Sequence, residues 1–242
     1  MKTLFFETID STNTYLKKHY EEHEDMTFVA AGLQTAGRGR SERNWKASAG
    51  KNLTFSLLIK DEEVMKEYKA LSVLAACSVL SVLKEYGIDD LMIKWPNDVY
   101  AGEKKICGIL LEGVSKEKME CLIIGIGINV NEESFEGDYL HMPTSMRLEL
   151  NEEIDLNIFR EKIYERLSEN IEQLKKGTDF YPEISKYDYL KGKTASCEIR
   201  GQKRQIEVIG INEDYSLKVI CENEVMDLSS SEVTFHIEKG NL

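Results

Sequence analysis

The chain has 242 residues, of which 42% are apolar and 31% charged, so it can bury one large core and a smaller one. It carries 31 Lys and Arg against 43 Asp and Glu, and its net charge of −12 disfavours binding of nucleic acid through the overall field. The five cysteines are scattered without a Cys-x-x-Cys pair, which argues against a disulfide framework or zinc ribbon and favours a reduced, cytoplasmic location. The longest apolar stretch, 71–83, is too short to span a bilayer.

Hydrophobic periodicity and turn residues predict the elements in chain order. Strands are expected at 4–9, 28–31, 53–59, 91–94, 105–111 and 121–130, and helices at 14–22, 64–86, 156–174 and 183–190. From residue 192 onward, short β-rich runs alternate with turns, which is typical of a small β-barrel; they lie at 194–199, 205–211, 216–220 and 233–237. We therefore predict two domains, 1–189 and 190–242.

The segment 37–46 reads GRGRSERNWK and is the most unusual part of the chain. Between residues 36 and 51 five cations stand against one Glu, in a chain that is acidic overall. Glycines let the backbone approach a ligand, arginines match phosphate or carboxylate, and Trp45 can stack on a nucleobase. A phosphate-binding loop and an ordinary solvated basic loop both fit this pattern.

Two further motifs follow along the chain. The run KWPND at 94–98 places Asn97 and Asp98 on a turn fixed by proline, and Asp98 is a candidate ligand for Mg²⁺ on a nucleotide. Lys105 opens an apolar strand, either as a cation that faces a phosphate or as part of a plain hairpin tip. The glycines of GIGIN at 125–129 indicate either a ligand passing close to the sheet or a bulge.

Two other classes of site find little support. His19 and His23 have metal-ligand spacing, but charged neighbours indicate a solvated helix face and no third ligand is near in sequence. A serine hydrolase is disfavoured because there is no Gly-x-Ser-x-Gly, and His141 and His236 lack a nucleophile context.

Taken together, the motifs resemble those of the biotin–protein ligases, in order and spacing, over residues 4–131. The matching runs are STN at 11–13, QTAGRGR at 34–40, RNW at 43–45, KWPND at 94–98, KICGIL at 105–110 and GIGIN at 125–129. The resemblance implies an α+β catalytic domain like that of class II aminoacyl-tRNA synthetases, followed by a small C-terminal SH3-like β-barrel. It also implies a ligase that converts biotin and ATP to biotinyl-AMP and biotinylates a lysine of a carrier domain, such as that of acetyl-CoA carboxylase.

The resemblance also implies a role for each matching residue. It assigns biotin binding to Ser11, Thr12, Asn13, Gln34, Gly37, Arg38, Gly39, Arg40, Lys105, Gly108, Gly125 and Gly127. It assigns ATP binding to Arg40, Arg43, Trp45, Asn97 and Asn129. The implied catalytic residues are Lys105, Arg40 and Asp98, with Asp98 near the Mg²⁺ that accompanies ATP. We expect the loop 37–46 to be mobile without ligand and to order over the intermediate.

The chain departs from the family pattern at three places. Glu42 stands where a glycine is usual, the turn 212–216 lacks the usual glycines, and strand 4–9 opens the catalytic domain without a preceding helix-turn-helix. We therefore expect a monofunctional ligase that binds neither DNA nor membrane, while a monomer and a homodimer both remain open. The alternatives are a lipoate or octanoate ligase or transferase of the same fold, a non-catalytic biotin or nucleotide sensor suggested by Glu42, and, less favoured, an RNA-binding protein.

Overall fold

The computed structural model describes residues 2–40, 44–137, 139 and 142–236, with the side chains of Thr234 and His236 excepted. A seven-stranded sheet is formed by β1 (Lys2–Ile9), β2 (Thr27–Gln34), β3 (Leu53–Ile59), β4 (Leu91–Lys94), β5 (Asp98–Ala101), β6 (Lys104–Ser115) and β7 (Met119–Ile128). Its strand order is β1-β2-β3-β7-β6-β5-β4. β1 and β2 pair in parallel, and the other neighbours pair antiparallel.

Both faces of this sheet are covered by helices, and therefore β3 is buried along its whole length. One face packs against α3 (Tyr68–Glu85) and α5 (Leu156–Lys175), where Phe28, Leu57 and Ile124 join the main core. The opposite face packs against α1 (Thr12–His19), where Leu16 joins a smaller cluster. α1 thereby holds the polar residues at its N-terminus over one face of the central strands.

The expected helix 64–86 forms two helices, α2 (Glu62–Lys66) and α3. Asp61 caps α2 by accepting the backbone N–H groups of Glu63 and Val64, and the backbone leaves the helical region at Glu67. No proline or glycine marks that break, so the sequence offers no signal for it. The helix expected at 14–22 begins at Thr12 and tightens into a 3-10 turn at 20–22.

The long amphipathic helix was placed almost correctly by its period. α5 is capped by Asp155, whose side chain accepts the N–H groups of Asn157 and Ile158, and Gly177 follows its end with φ +83°. Two short helices flank it, α4 (Met146–Leu150), which was not expected, and α6 (Tyr181–Lys186), which is shifted from the expected 183–190. β5 was also missed, because the chain re-enters the sheet directly after the turn at 95–97.

The C-terminal part forms a second, antiparallel sheet, in agreement with the predicted α+β fold class. Its strands are β8 (Thr194–Ile199), β9 (Gln202–Ile211), β10 (Leu217–Cys221), β11 (Glu224–Leu228) and β12 (Val233–His236), in the order β11-β10-β9-β8-β12. β11 was not expected, because its sequence EVMDL does not alternate between apolar and polar residues, and four of its five residues are exposed. The domain division at 189/190 stays a prediction.

Several contacts tie the second sheet to the first. Trp95, only 2% exposed, donates its Nε1–H to the Tyr215 carbonyl at 2.9 Å and meets the ring of Phe235 edge-on. The buried carboxylate of Asp188 accepts the N–H of Ile211 at 3.2 Å. The second sheet is thus packed against the turn 95–97 of the first. Within the described part of the chain, no helix is both long and apolar enough to cross a bilayer.

Candidate active site

One cavity of about 590 Å³ lies between the seven-stranded sheet, the loop that begins at Gly37, the turn 95–98 and strand β12. Apart from Gly37 and Arg43, every residue that the resemblance assigned to the site lines it. Those residues are Ser11, Thr12, Asn13, Gln34, Arg38, Gly39, Arg40, Trp45, Asn97, Asp98, Lys105, Gly108, Gly125, Gly127 and Asn129. Arg43, and Glu42 beside it, lie outside the described residues.

The polar end of the cavity is built at the N-terminus of α1. Ser11 caps the helix, with its hydroxyl 3.4 Å from the Thr14 nitrogen. Thr12 donates both its backbone N–H and its hydroxyl to Gln34 Oε1, at 2.8 and 3.1 Å. The hydroxyl of Ser56 on β3 lies 2.5 Å from Asn13 Oδ1. A set of neutral donors and acceptors is therefore held at fixed positions, as recognition of a small polar ring requires.

The loop after β2 is closed by a backbone contact between its two ends. Trp45 donates its N–H to the Gly37 carbonyl at 2.9 Å, and Arg38 forms a β-bridge with Asn44. A Cβ at Gly37 would lie 2.7 Å from the Trp45 carbonyl oxygen, so only glycine allows this approach. Gly37 thus shapes the loop and does not itself line the cavity.

The glycines of β6 and β7 accommodate protein side chains. A Cβ on Gly125 would lie 2.2 Å from Asn13 Oδ1, and one on Gly127 would lie 2.4 Å from the indole of Trp45. A Cβ on Gly108 would lie 3.0 Å from Lys105 Nζ. We expected these glycines to make room for a ligand ring; they first make room for the residues that line the cavity.

Trp45 carries an unpartnered donor. Its indole lies against the β6–β7 glycines, and its buried Nε1–H has no hydrogen-bond partner among the residues that the structure describes. A buried N–H without a partner costs free energy, on the order of 1–3 kcal/mol. An acceptor on a bound ligand is one way to satisfy it.

Arg40 reaches the second sheet. Its guanidinium donates to Asn97 Oδ1 at 3.3 Å and to the backbone carbonyls of Ser230 and Val233, which precede and open β12. Sequence reasoning missed this C-terminal wall, to which Phe235 also contributes, because backbone carbonyls leave no mark in the sequence.

The reactive end of the cavity holds an ion pair. Lys105 Nζ lies 2.8 Å from Asp98 Oδ1, with side chains 25% and 13% exposed. The register of β5 and β6 places Asp98 opposite Gly108, and the Lys105 side chain lies over Gly108. The two charged groups are therefore brought together by the strand pairing. Lys105 Nζ also lies 5.9 Å from the centre of the Trp45 ring. The pair places one cation in the cavity with a carboxylate that fixes its position.

Asn97 and Asn129 are both engaged by the backbone. Asn97 donates its amide to the Ile109 carbonyl at 2.8 Å, and buried Asn129 donates to the Thr144 carbonyl at 2.9 Å. They hold the turn 95–98 and the end of β7 while lining the cavity.

Asp98 is also the candidate magnesium ligand. Among the described residues no group of three or more His, Cys, Asp or Glu side chains is placed to hold a metal. A lone carboxylate still suits Mg²⁺, which in nucleotide sites commonly takes one or two carboxylates together with phosphate oxygens and water. Asp98 fits such a site, with Oδ2 free of the contact that Lys105 makes to Oδ1.

Sequence reasoning also missed Ser56 and Glu112. Glu112 on β6 contacts both Asn13 and Arg38 behind the cavity. The sequence did contain a signal for Glu112, because a carboxylate is unusual in an otherwise apolar strand. Side chains two residues apart in a strand share a face, so Glu112 lies on the same face as Gly108 and Leu110.

Comparisons with known proteins agree with this site. The model of the biotin/lipoate A/B protein ligase family matches residues 5–129, which is just over half of the chain and contains every assigned site residue. The chain therefore belongs to this family. Similar proteins within the family include biotin–protein ligases, and the resemblance drawn from the motifs is confirmed.

Two curated relatives and one solved structure illustrate the likeness. The bifunctional ligase/repressor BirA of Bacillus subtilis (strain 168) is 37% identical over 132 residues, covering 53% of this chain and 41% of the relative. The biotin–[acetyl-CoA-carboxylase] ligase of Paracoccus denitrificans is 35% identical over 127 residues, covering 50% of this chain and 51% of the relative. Biotin protein ligase from Aquifex aeolicus in complex with biotin and ATP is 28% identical, with a TM-score of 0.86, and covers 98% of this chain and 99% of that one. The matches to the first four curated relatives span 38% to 52% of their length.

Proposed function

We propose that the protein activates biotin with ATP and transfers the biotinyl group to a lysine of a biotin carrier domain, such as that of acetyl-CoA carboxylase. The observation that carries this proposal is a single cavity that joins the Thr12–Asn13–Gln34 polar end to a cationic end formed by Arg40 and Lys105. Biotin has matching ends, a polar cyclic urea and a carboxylate. The name of the similar Paracoccus ligase supports the carboxylase as acceptor.

In the first step an oxygen of the biotin carboxylate attacks the α-phosphorus of ATP. The bond between that phosphorus and the oxygen bridging to the β-phosphate breaks, and pyrophosphate leaves. Both partners are anions, so the step depends on cations placed where charge develops. Lys105 is suited to bridge the carboxylate and the α-phosphate, because Asp98 already holds its ammonium in the cavity. Asp98 would also hold Mg²⁺, which when bound neutralises phosphate charge.

In the second step the amine of the acceptor lysine attacks the acyl carbon of biotinyl-AMP, AMP leaves with the bonding electron pair, and the amine loses a proton. The mixed anhydride must be kept from water until the acceptor arrives. Arg40 and Trp45 line the cavity in which it would form, and the second sheet supplies part of the wall there. For the cell we propose a cytoplasmic location, since all five cysteines are free, buried thiols.

The test is biotin-dependent exchange of labelled pyrophosphate into ATP, with lipoate and octanoate as competing acids. Wild type should exchange only with biotin, and Lys105→Ala should lose at least about 100-fold of the rate, as when a group that stabilises developing charge is removed. Lys104→Ala, a neighbouring exposed lysine outside the cavity, is the matched control and should keep the wild-type rate. Exchange with lipoate alone would refute the proposal, and biotin binding without any exchange would identify a sensor.

A lipoate or octanoate enzyme of the same fold is not favoured. A flexible acyl chain has no use for the paired donors and acceptors at the α1 end, and similar proteins include biotin ligases. The expectations that the protein binds no DNA, and that it is a monomer or a homodimer, stay predictions. Gel-shift and sedimentation measurements test them.

A further inference from the structure

The carboxylate of Glu112 lies behind the cavity at the meeting point of three donors. Asn13 Nδ2 lies 2.9 Å and the Arg38 guanidinium 2.7 Å from its Oε2, while Lys17 Nζ lies 3.0 Å from its Oε1. The Glu112 side chain is 17% exposed and does not line the cavity, whereas Asn13 and Arg38 do. Glu112 can therefore influence a ligand only through those two residues.

The contact with Asn13 decides which end of the Asn13 amide faces the ligand. An ionised carboxylate only accepts hydrogen bonds, so the NH₂ group must point at Glu112. The same NH₂ group lies 3.4 Å from the Leu110 carbonyl, which is a second acceptor. Asn13 Oδ1 is thereby turned toward Ser56 and the cavity floor at Gly125. Asn13 lines the cavity, and its Oδ1, which already accepts from Ser56, has a second lone pair that suits an N–H group of a ligand.

The contact with Arg38 connects this amide to the loop. Arg38 stands next to Gly37 and forms a β-bridge with Asn44, so its guanidinium fixes the loop against β6. One carboxylate oxygen thus anchors both the polar end of the cavity and the loop above it. Burial raises the pKa of Glu112, but the hydrogen bonds from Asn13 and Lys17 and the charge of Arg38 outweigh it and lower the pKa below its usual value. Glu112 is accordingly ionised at neutral pH, so it can only accept a hydrogen bond from Asn13.

We propose that Glu112 is a positioning residue that sets ligand selectivity: it fixes Asn13 with its oxygen toward the cavity, and so selects acids that carry a ring N–H over acids that carry none. A cyclic urea provides such N–H groups, whereas a dithiolane or an alkyl chain does not. The identity of the ligand as biotin rests on the proposed function. The orientation of the Asn13 amide depends on its contact with Glu112.

The test measures binding by calorimetry without ATP, so it does not depend on turnover. The ligands are biotin and a biotin analogue methylated on both ureido nitrogens. In Glu112→Met the Asn13 NH₂ loses its charged acceptor and keeps only the 3.4 Å contact to the Leu110 carbonyl. We expect the Kd for biotin to rise about 10- to 100-fold, in line with the loss of a hydrogen bond to a charged group. The analogue already lacks the N–H, so its Kd should change less than about threefold, and the preference for biotin should collapse.

Two further variants separate orientation from charge. Glu112→Gln keeps an acceptor for Asn13, and its Kd for biotin should stay within about threefold of wild type. Lys17→Gln removes a partner of Glu112 that does not line the cavity, and it should also stay within about threefold. If Glu112→Met is too unstable to titrate, the double variant Glu112→Met/Lys17→Met, which removes one of the charges left unpaired, is measured by the same criterion.

Two failures are distinguishable. If Glu112→Met or the double variant lowers Tm but leaves the ratio of the two Kd values as in wild type, Glu112 only stabilises the fold and the inference is wrong. If wild type does not bind biotin at all, the proposed function is wrong. A loss of preference in Glu112→Met with binding retained in Glu112→Gln supports the inference.

Discussion

The packing of Trp45 on Gly127 leads to a quantitative prediction for Gly127→Ala. A Cβ at residue 127 would lie 2.4 Å from the indole, against about 3.4 Å for ordinary contact, so the ring must withdraw by roughly 1 Å. Because Gly127 sits on a central strand, the ring and not the backbone must move. Overpacking of this kind costs about 1–3 kcal/mol. For a protein of this size each kcal/mol lowers Tm by about 2–4 °C.

The assay is a double-mutant cycle with Trp45→Ala, read out by thermal unfolding. If the cost of Gly127→Ala comes from the indole, the same substitution should cost about 0.5 kcal/mol or less in the Trp45→Ala background, within the additivity error. Gly113→Ala is the control, since the only close approach of a Cβ there is to the flexible end of Met119, with Leu122 Cδ2 at an ordinary contact distance of 3.5 Å. An equal loss of stability in both backgrounds would refute the reasoning and show that residue 127 requires glycine for its backbone. Displacement of Trp45 should also raise the KM for ATP in the exchange assay.

Two other predictions follow from contacts of the described residues, and a third follows from the resemblance and concerns the loop 37–46, of which residues 41–43 lie outside the described part of the chain. Burial raises the pKa of Glu132, but hydrogen bonds from Ser48 and Asn52 outweigh it and lower the pKa below its usual value. The stability that Glu132 contributes is therefore present above pH 4.5 and lost as the pH falls. In urea unfolding, the free energy of unfolding should fall less between pH 6 and pH 3.5 for Glu132→Gln than for wild type. Asn129→Ala should lower the free energy of unfolding by about 1–3 kcal/mol, since it leaves the buried Thr144 carbonyl without its donor; unchanged stability would count against this. Limited proteolysis should cut the loop 37–46 more slowly once biotin and ATP are added, and equal rates would contradict ordering of the loop.

Sequence reasoning placed the long elements well where one face is buried. The spacing of apolar residues located α5 almost to the residue, and β3 was predicted with its observed bounds, Leu53–Ile59. It failed where no local signal exists, at the break between α2 and α3 and at the four-residue strand β5. These features depend on tertiary packing, which periodicity does not report.

In the site, too, some features were predicted from the sequence and others were not. Motifs brought together side chains that lie far apart in the chain, such as Gln34 and Lys105, because each motif carries an unusual residue pattern. They did not predict that Asp98 pairs with Lys105, since that contact follows from the register of β5 on β6. Nor did they predict that Arg40 binds backbone carbonyls of the second sheet.

The reach of Arg40 to the second sheet has a consequence for protein engineering. The C-terminal sheet supplies part of the cavity wall through Val233 and Phe235, and it covers the indole of Trp95. Removing residues 190–242 would expose that indole and leave Arg40 without two of its acceptors. The two parts are therefore not interchangeable modules: a chimera with the C-terminal sheet of a relative must keep the shape of the 229–233 turn and an aromatic residue at 235, or its loop will lose its anchor.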